Sequence, residues 1–225
     1  MDRNFAIKRV SVIGDLHLSV YTDSKNFCEV EMKLSAKTFK DATHRAVIKK
    51  IYLDSFPKYE KLPWWQLRLL TLRRGIEMTA YYDGDEVCGF TYTVAAGKIL
   101  FVLFFAVKRD LRGMGYGSAI LQYLKESAPS KAVLLNIEPL DSAADNFEER
   151  IRRFRFYEKN GFFDTKYEIE EIGGVFRILA TSPDFDMTEY LRVFKKMSFG
   201  FWRPRIMPAS RTEGKGECDE KKNVS

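Results

Sequence analysis

The chain has 225 residues, 45% hydrophobic and 14% aromatic. That is enough apolar material for one domain of about 150–200 residues with extensions, or for two small ones. Three well-separated cysteines with no CxxC, only two histidines and no apolar segment of about 18–20 residues argue against a disulfide framework, a zinc site and a membrane span, and for reduced thiols in the cytoplasm. The formal net charge of +6 is spread along the sequence and reads as a solvated surface that also suits a polyanionic ligand.

Residues 1–27 contain a short alternating piece, Val10-Ser11-Val12-Ile13, but no long period and no signal-peptide pattern. They are expected to form a loosely attached N-terminal extension. Met32 stands as an alternative start, because the regular pattern begins there. Residues 28–35 alternate like a first strand. Asp41 reads as an N-cap, and His44, Val47, Ile48, Ile51 and Tyr52 follow a helical period, so 41–55 is predicted to be an amphipathic helix stopped by Pro57. Pro63 opens a second helix that carries Trp65, Leu69 and Leu72 on one stripe and ends near Gly75. Trp64 and Trp65 are read as packing residues.

Two strand-like runs, 76–82 and 86–95, flank Asp83-Gly84-Asp85, a hairpin signal. A third run, 98–107, completes an antiparallel meander. It is followed by a basic loop with glycines at 113, 115 and 117, then by a helix with Tyr116, Ile120, Tyr123 and Leu124 on one face. A buried strand at 132–137 closes a strand–helix–strand unit, which implies parallel pairing by a right-handed crossover. A polar helix at 144–160 has Phe147, Ile151 and Phe154 inward and Gly161 just past its end. Strands at 162–168 and 175–181, turned by Gly173-Gly174, and a last helix at 186–198 follow; that helix, with Phe199, Phe201 and Trp202 after it, is expected to cover the sheet or to mediate a dimer. No linker divides the middle, so residues 28–207 are expected to be one domain and 208–225 a disordered tail.

The glycine loop carries the chemistry. Glycines remove the Cβ atoms that would keep a diphosphate from backbone N–H groups, and Arg112 adds a charged donor. Alone, the loop is compatible with an ordinary strand–helix turn, a dinucleotide fold or another phosphate site. The dinucleotide reading has Glu138 near the position of a ribose-binding acid, but it lacks repeated strand–helix crossovers and has Ser118 where the third glycine belongs. A Walker loop is excluded, since no Gly-Lys-Ser/Thr follows.

A second motif lies about forty residues on. Arg112-Gly113-Met114-Gly115-Tyr116-Gly117 matches Arg/Gln-x-x-Gly-x-Gly/Ala, and Tyr157-Glu158-Lys159-Asn160-Gly161-Phe162 matches a tyrosine–glutamate–lysine run closing in Gly-Phe. Together, in this order, they resemble the GCN5-related N-acetyltransferases (GNAT), of the bacterial kind that act on small molecules or peptides. The resemblance covers about residues 28–181. It implies an α/β (α+β) fold, with a mixed, mostly antiparallel sheet, a splayed parallel pair and flanking helices. It implies acetyl-CoA as co-substrate, with the main chain of Phe105, Ala106 and Val107 along the pantetheine arm. The pyrophosphate would lie on Arg112, Gly113, Met114, Gly115, Tyr116, Gly117 and Ser118, and Tyr157 would assist thiolate departure. No metal is implied.

The expected acceptor is a small-molecule or peptide amine, with no nucleic-acid or membrane partner, in a monomer or homodimer. Glu138 and Glu60 both stand as bases for the amine and neither is assigned. Arg150 replaces a cofactor-contacting asparagine of many relatives, and is open between a phosphate contact and a pair with Glu138 or Asp145. The rivals are an inactive CoA-binding module, a nicotinamide-dinucleotide binder and a nucleic-acid module suggested by the +6 charge and the arginines of 150–155.

Overall fold

The apolar run Ile99–Val107 forms a strand at the middle of the sheet, since a strand covered by helices on both faces needs no polar alternation. The computed structural model describes residues 5–12, 15–22, 30–39, 44–171, 174–198 and 204–209. The Asp41 cap, Gly173, Phe199, Phe201, Trp202, Cys28, Cys218 and the tail from residue 210 lie outside the described residues.

In chain order the elements are β1 (Phe5–Val12), β2 (Asp15–Thr22), β3 (Val30–Thr38), α1 (Arg45–Ser55), α2 (Trp64–Leu70), β4 (Ile76–Asp83), β5 (Glu86–Ala96), β6 (Ile99–Val107), α3 (Tyr116–Ser127), β7 (Ala132–Ile137), α4 (Phe147–Lys159), β8 (Phe163–Glu171), β9 (Gly174–Ala180), α5 (Met187–Met197) and β10 (Arg205–Pro208). The strands form one sheet in the order β1-β2-β3-β4-β5-β6-β7-β9-β8-β10. Every neighbouring pair is antiparallel except β6 and β7. The expected mixed, mostly antiparallel sheet with one parallel pair is therefore the fold.

Helices cover both faces. On one, Ile48, Ile51 and Tyr52 of α1, Leu67 and Leu70 of α2, and Tyr190, Val193 and Phe194 of α5 pack on sheet residues that include Phe90, Tyr92, Phe101 and Phe104. Tyr52 meets Phe104 edge-on at 5.1 Å, and Phe101 lies 5.6 Å from Tyr190. On the other face, Ala119 and Ile120 of α3 pack with Tyr81 and Cys88, while Leu121 and Leu124 join Val102, Val133 and Leu135 beneath α4. This double cover explains why nearly every residue of β5 is buried. The last helix covers the sheet, as one reading of its sequence has it.

Three features differ from the sequence reading. Residues 5–22 form a hairpin rather than a loose extension, and β2 pairs with β3 from Leu16↔Leu34 to Val20↔Val30. The signal was the two-residue alternation of Leu16, Leu18 and Val20. A short β10 pairs with β8 from Arg205↔Glu170 to Pro208↔Tyr167, at the sheet edge where proline is tolerated. In α2 the stripe Trp65, Leu69 and Leu72 faces outward, 67%, 49% and 72% exposed, whereas Leu67 and Leu70 face the sheet. Tyr92 fixes that rotation by donating its hydroxyl to the Leu67 carbonyl at 3.0 Å. Among the described residues, no helix is long and apolar enough to cross a membrane.

Candidate active site

The site begins where the parallel pair fails. Pairing between β6 and β7 runs from Ile99↔Ala132 to Val102↔Leu135 and ends there. At the same level β6 carries an extra residue: Tyr92 faces Phe104 and Thr93 faces Val102, which leaves Leu103 as a bulge. A bulge bends its strand and increases the local twist. Beyond it, Phe104 to Val107 remain paired with β5 on one side only. Meanwhile β7 continues through Asn136↔Ile178 and Ile137↔Arg177 against β9. The two strands therefore part around a cleft of about 1370 Å3. The exposed backbone edge of β6 borders it and requires hydrogen-bond partners.

The glycine loop closes one end. After Val107 the chain makes one 3-10 turn at Arg109–Leu111 and enters α3. Gly115 precedes the helix with φ at 92°, a left-handed conformation that glycine adopts without strain. No side chain caps α3 and no acidic residue lies in its first turn, so its first N–H groups and the positive end of its dipole are open to an anion. A Cβ on Gly117 would stand 3.0 Å from Phe156 Cζ, so glycine is what lets α4 close over the loop. Arg112 donates from Nε to the Val107 carbonyl and from Nη2 to Ser55 Oγ, both at 3.3 Å, tying the loop to the end of α1.

Phe105, Ala106, Val107, Arg112, Gly113, Gly115, Gly117 and Ser118 line the cleft. The other two loop positions are arranged differently. Met114 is an exposed side chain, and Tyr116 turns to β4, donating its hydroxyl to Asp83 Oδ2 at 2.6 Å.

α4 forms the facing wall. Its Tyr157 lines the cleft, with its ring packed 5.2 Å from Phe156 and 5.7 Å from Phe162. Among the described residues the Tyr157 hydroxyl has no hydrogen-bond partner. Burial pushes its pKa up to about 12, against a smaller opposing effect of Arg153. The phenol therefore keeps its proton at neutral pH and is a donor.

Of the two bases considered from sequence, Glu138 is engaged. It pairs with Arg153, accepts from Asn146 Nδ2 at 3.2 Å and stands 3.8 Å from Arg150 Nη2. Arg150 also donates to Asn146 Oδ1 and to the Pro139 carbonyl, at 2.7 and 2.9 Å. It is thus a structural clamp on the strand end beyond β7, paired with Glu138. Glu60 lines the cleft from the loop between α1 and α2. Burial first, then repulsion from Glu138, raises its pKa, and Arg153 opposes both.

A third group was not singled out from sequence. Glu171, at the end of β8, lines the cleft and accepts from Asn136 Nδ2 at 2.7 Å, while Asn136 Oδ1 accepts from the Tyr190 hydroxyl at 2.8 Å. Asn136 had a signal, as the one polar residue in the run AVLLNI. Glu171 had none, lying among other charged residues. Among the described residues no His, Cys, Asp and Glu side chains gather into a metal-binding group.

Residues 75–163, from the glycine before β4 to the start of β8, match the family model described as an acetyltransferase (GNAT) domain. This stretch of the chain is therefore similar to a GNAT acetyltransferase domain. Among curated proteins, "Putative acetyltransferase YjbC" of Bacillus subtilis (strain 168) is 30% identical over 108 residues, 48% of this chain. The match spans 46% of that relative's length. Among solved structures, "Putative acetyltransferase from GNAT family" of Bacteroides thetaiotaomicron superposes with a TM-score of 0.58 at 21% identity, covering 75% of this chain and 99% of that one. The ribosomal-protein-S18-alanine N-acetyltransferase of Escherichia coli gives 0.51 at 14% identity, over 68% and 96% of the two chains. An aminoglycoside 6'-N-acetyltransferase complexed with coenzyme A gives 0.53 at 16%, over 68% and 99%. At these identities the likeness is one of fold. The matched segment contains the bulged β6, the glycine loop, α3, β7 and α4. The strands β1, β2 and β3, the helices α1 and α2, all of β8 but its first residue, and β9, α5 and β10 lie outside the matched segment.

Proposed function

We propose that the chain is an acetyl-CoA-dependent N-acetyltransferase that acetylates a primary amine on a small molecule or peptide. The observation that carries this reading is the convergence of three features on one cleft: the free edge of β6 beyond Leu103, the uncapped N-terminus of α3, and Tyr157. A chain with alternating amides fits an unpaired strand edge, and a diphosphate fits a helix N-terminus without acidic residues. Gly117 closed over by Phe156 supports the fit, because any larger residue would alter the cradle. Acetyl-CoA, when bound, supplies an activated thioester to this cleft.

The residues then have defined roles. The main chain of Phe105, Ala106 and Val107 holds the pantetheine amides, and the N–H groups from Arg112 to Ser118 hold the pyrophosphate. Tyr157 donates a hydrogen bond to the sulfur as the C–S bond breaks and the amine–acyl C–N bond forms. A phenol held near pKa 12 stays protonated until the thiolate needs it. Direct transfer of this kind calls on no metal, and the expected setting is the cytoplasm.

Release of free thiol from acetyl-CoA, measured with alkylamines, polyamines, an aminoglycoside and peptides with free N-termini, tests the proposal. Turnover with one class is the expected result. Tight acetyl-CoA binding without turnover of any amine would instead favour a CoA-binding module, and calorimetric preference for NAD(H) would overturn the CoA assignment.

A further inference from the structure

We propose that Glu171 is the catalytic base of this site, held in place by Asn136 and Tyr190. The inference rests on the acetyltransferase reading and deepens it.

The argument starts from position. Pairing of β6 with β7 ends at Val102↔Leu135, so Asn136 is the first residue of β7 on the open part of the splay. Its amide has two ends, and both are used. Oδ1 accepts from the Tyr190 hydroxyl, whose ring is fully buried between α5 and the sheet, against Phe101 and Phe194. With Oδ1 so occupied, Nδ2 is directed at Glu171 Oε1, 2.7 Å away. A buried aromatic from α5 thus fixes the orientation of an amide, and the amide fixes a carboxylate on the wall of the cleft. Each is a residue type that the next one needs: a donor-only hydroxyl role, an amide that both accepts and donates, and a carboxylate.

The competing carboxylates are less suited. Glu138 is already engaged by Arg153 and Asn146, so its oxygens are taken up by partners within the fold. Glu60 has no side chain to orient it among the described residues. Among the described residues Glu171 has one hydrogen bond and no cationic partner, which leaves its second oxygen to an ammonium group. The ionisable groups facing it are Glu60, from the loop between α1 and α2, and Tyr190 of α5; Arg153 and Glu138 act on Glu60. Burial, reinforced by Glu60 and opposed by Asn136, lifts the carboxyl to about 7, where a base is effective at neutral pH.

The step balances. Glu171 takes one proton from the acceptor ammonium, leaving a neutral amine with a lone pair. As the C–N bond forms and the C–S bond breaks, the electron pair of the latter remains on sulfur. A second proton, from the nitrogen, reaches that sulfur by way of the Tyr157 hydroxyl. Glu171 then returns its own proton to solvent.

The test has two arms, on the full chain. In the first, the carboxyl of Glu171 is titrated by NMR in protein labelled with 13C-glutamate, the resonance being assigned by its loss in Glu171→Gln. A midpoint near 7, moved upward in Asn136→Ala because the amide lowers it, is expected; a midpoint in the ordinary glutamate range would overturn the proposal. In the second, kcat/KM for the best amine of the acceptor panel is followed against pH. Glu171→Gln should lose about 100-fold or more at pH 7 and lose the acid limb of the profile. Tyr190→Phe and Asn136→Ala should retain that limb with a displaced midpoint. Acetyl-CoA affinity should be unchanged in all three. Transfer with an unaltered acid limb in Glu171→Gln would overturn the base alone. No transfer by the unaltered protein to any amine would overturn the acetyltransferase reading, and this assignment with it.

Discussion

Tyr116 reaches away from the cleft and donates its hydroxyl to the Asp83 carboxylate at 2.6 Å. The two residues join the first turn of α3 to the end of β4, so the N-terminal end of the helix is braced from β4. Burial first, then the hydrogen bond to the carboxylate and its charge, holds the Tyr116 phenol well above its usual range. Replacing Tyr116 with Phe leaves the main-chain N–H groups in place and deletes one charge-assisted hydrogen bond, for a loss of about 1–2 kcal/mol of stability. Thermal unfolding should record that loss, while calorimetry should find acetyl-CoA affinity within a few-fold of the unaltered protein. A collapse of affinity without a change in stability would mean that the side chain touches the ligand.

Tyr157 gives the opposite pattern. Its hydroxyl has no hydrogen-bond partner among the described residues, so Tyr157→Phe removes no interaction of the folded protein. Stability and acetyl-CoA affinity should be nearly unchanged. The rate of thiol release should fall about 100-fold, at the low end of what a general acid contributes. An unchanged rate in steady-state assays would remove the phenol from the mechanism.

Much of this arrangement was legible in the sequence, and the reasons differ by element. The meander 76–107 was plain because Asp83-Gly84-Asp85 marks its first turn and apolar runs bound it. The loop and Tyr157 were plain because glycine spacing and a residue motif carry them. The bulge at Leu103 was not. Nothing in ILFVLFFAV distinguishes its fifth residue, and the misregister exists only against β5. The rotation of α2 was also hidden. In WWQLRLLTL either Trp65-Leu69-Leu72 or Leu67-Leu70 satisfies a helical period, and the choice depends on a contact with Tyr92, 25 positions away. The chain Tyr190–Asn136–Glu171 spans three elements and has no local signature at all.

Gly115 makes a test of the anion site that does not depend on the acceptor. At a φ of 92° a β-branched residue is strained whatever space is available, so Gly115→Val must distort the entry to α3. The N–H groups of the first turn then lose their common direction. Acetyl-CoA affinity by calorimetry should drop tenfold or more, with a smaller loss for Gly115→Ala. Retained affinity in the valine variant would refute the loop as the pyrophosphate site.

The raised carboxyl of Glu171 also has a consequence for stability, separable from its role in chemistry. Its pKa is about 7 in the folded chain against 4.5 for an unperturbed glutamate, chiefly because burial disfavours the charge. Between those values the folded state binds more protons than the unfolded state, so stability falls as pH rises through this window and levels off above it. Below about pH 4.5 the carboxyl is neutral in both states and imposes no such loss. Glutamine carries no charge at any pH, accepts the same hydrogen bond from Asn136 Nδ2 through its carbonyl, and escapes the loss. The melting temperature of Glu171→Gln, compared with that of the unaltered protein in urea-free buffer, should therefore gain on it steadily from pH 4.5 to 7 and hold a constant lead above. The same difference should grow in Asn136→Ala background, where the amide that partly offsets burial is gone and the folded pKa rises further above the unfolded one. A melting difference independent of pH would show that Glu171 ionises as a surface group, whatever the kinetics of acetyl transfer.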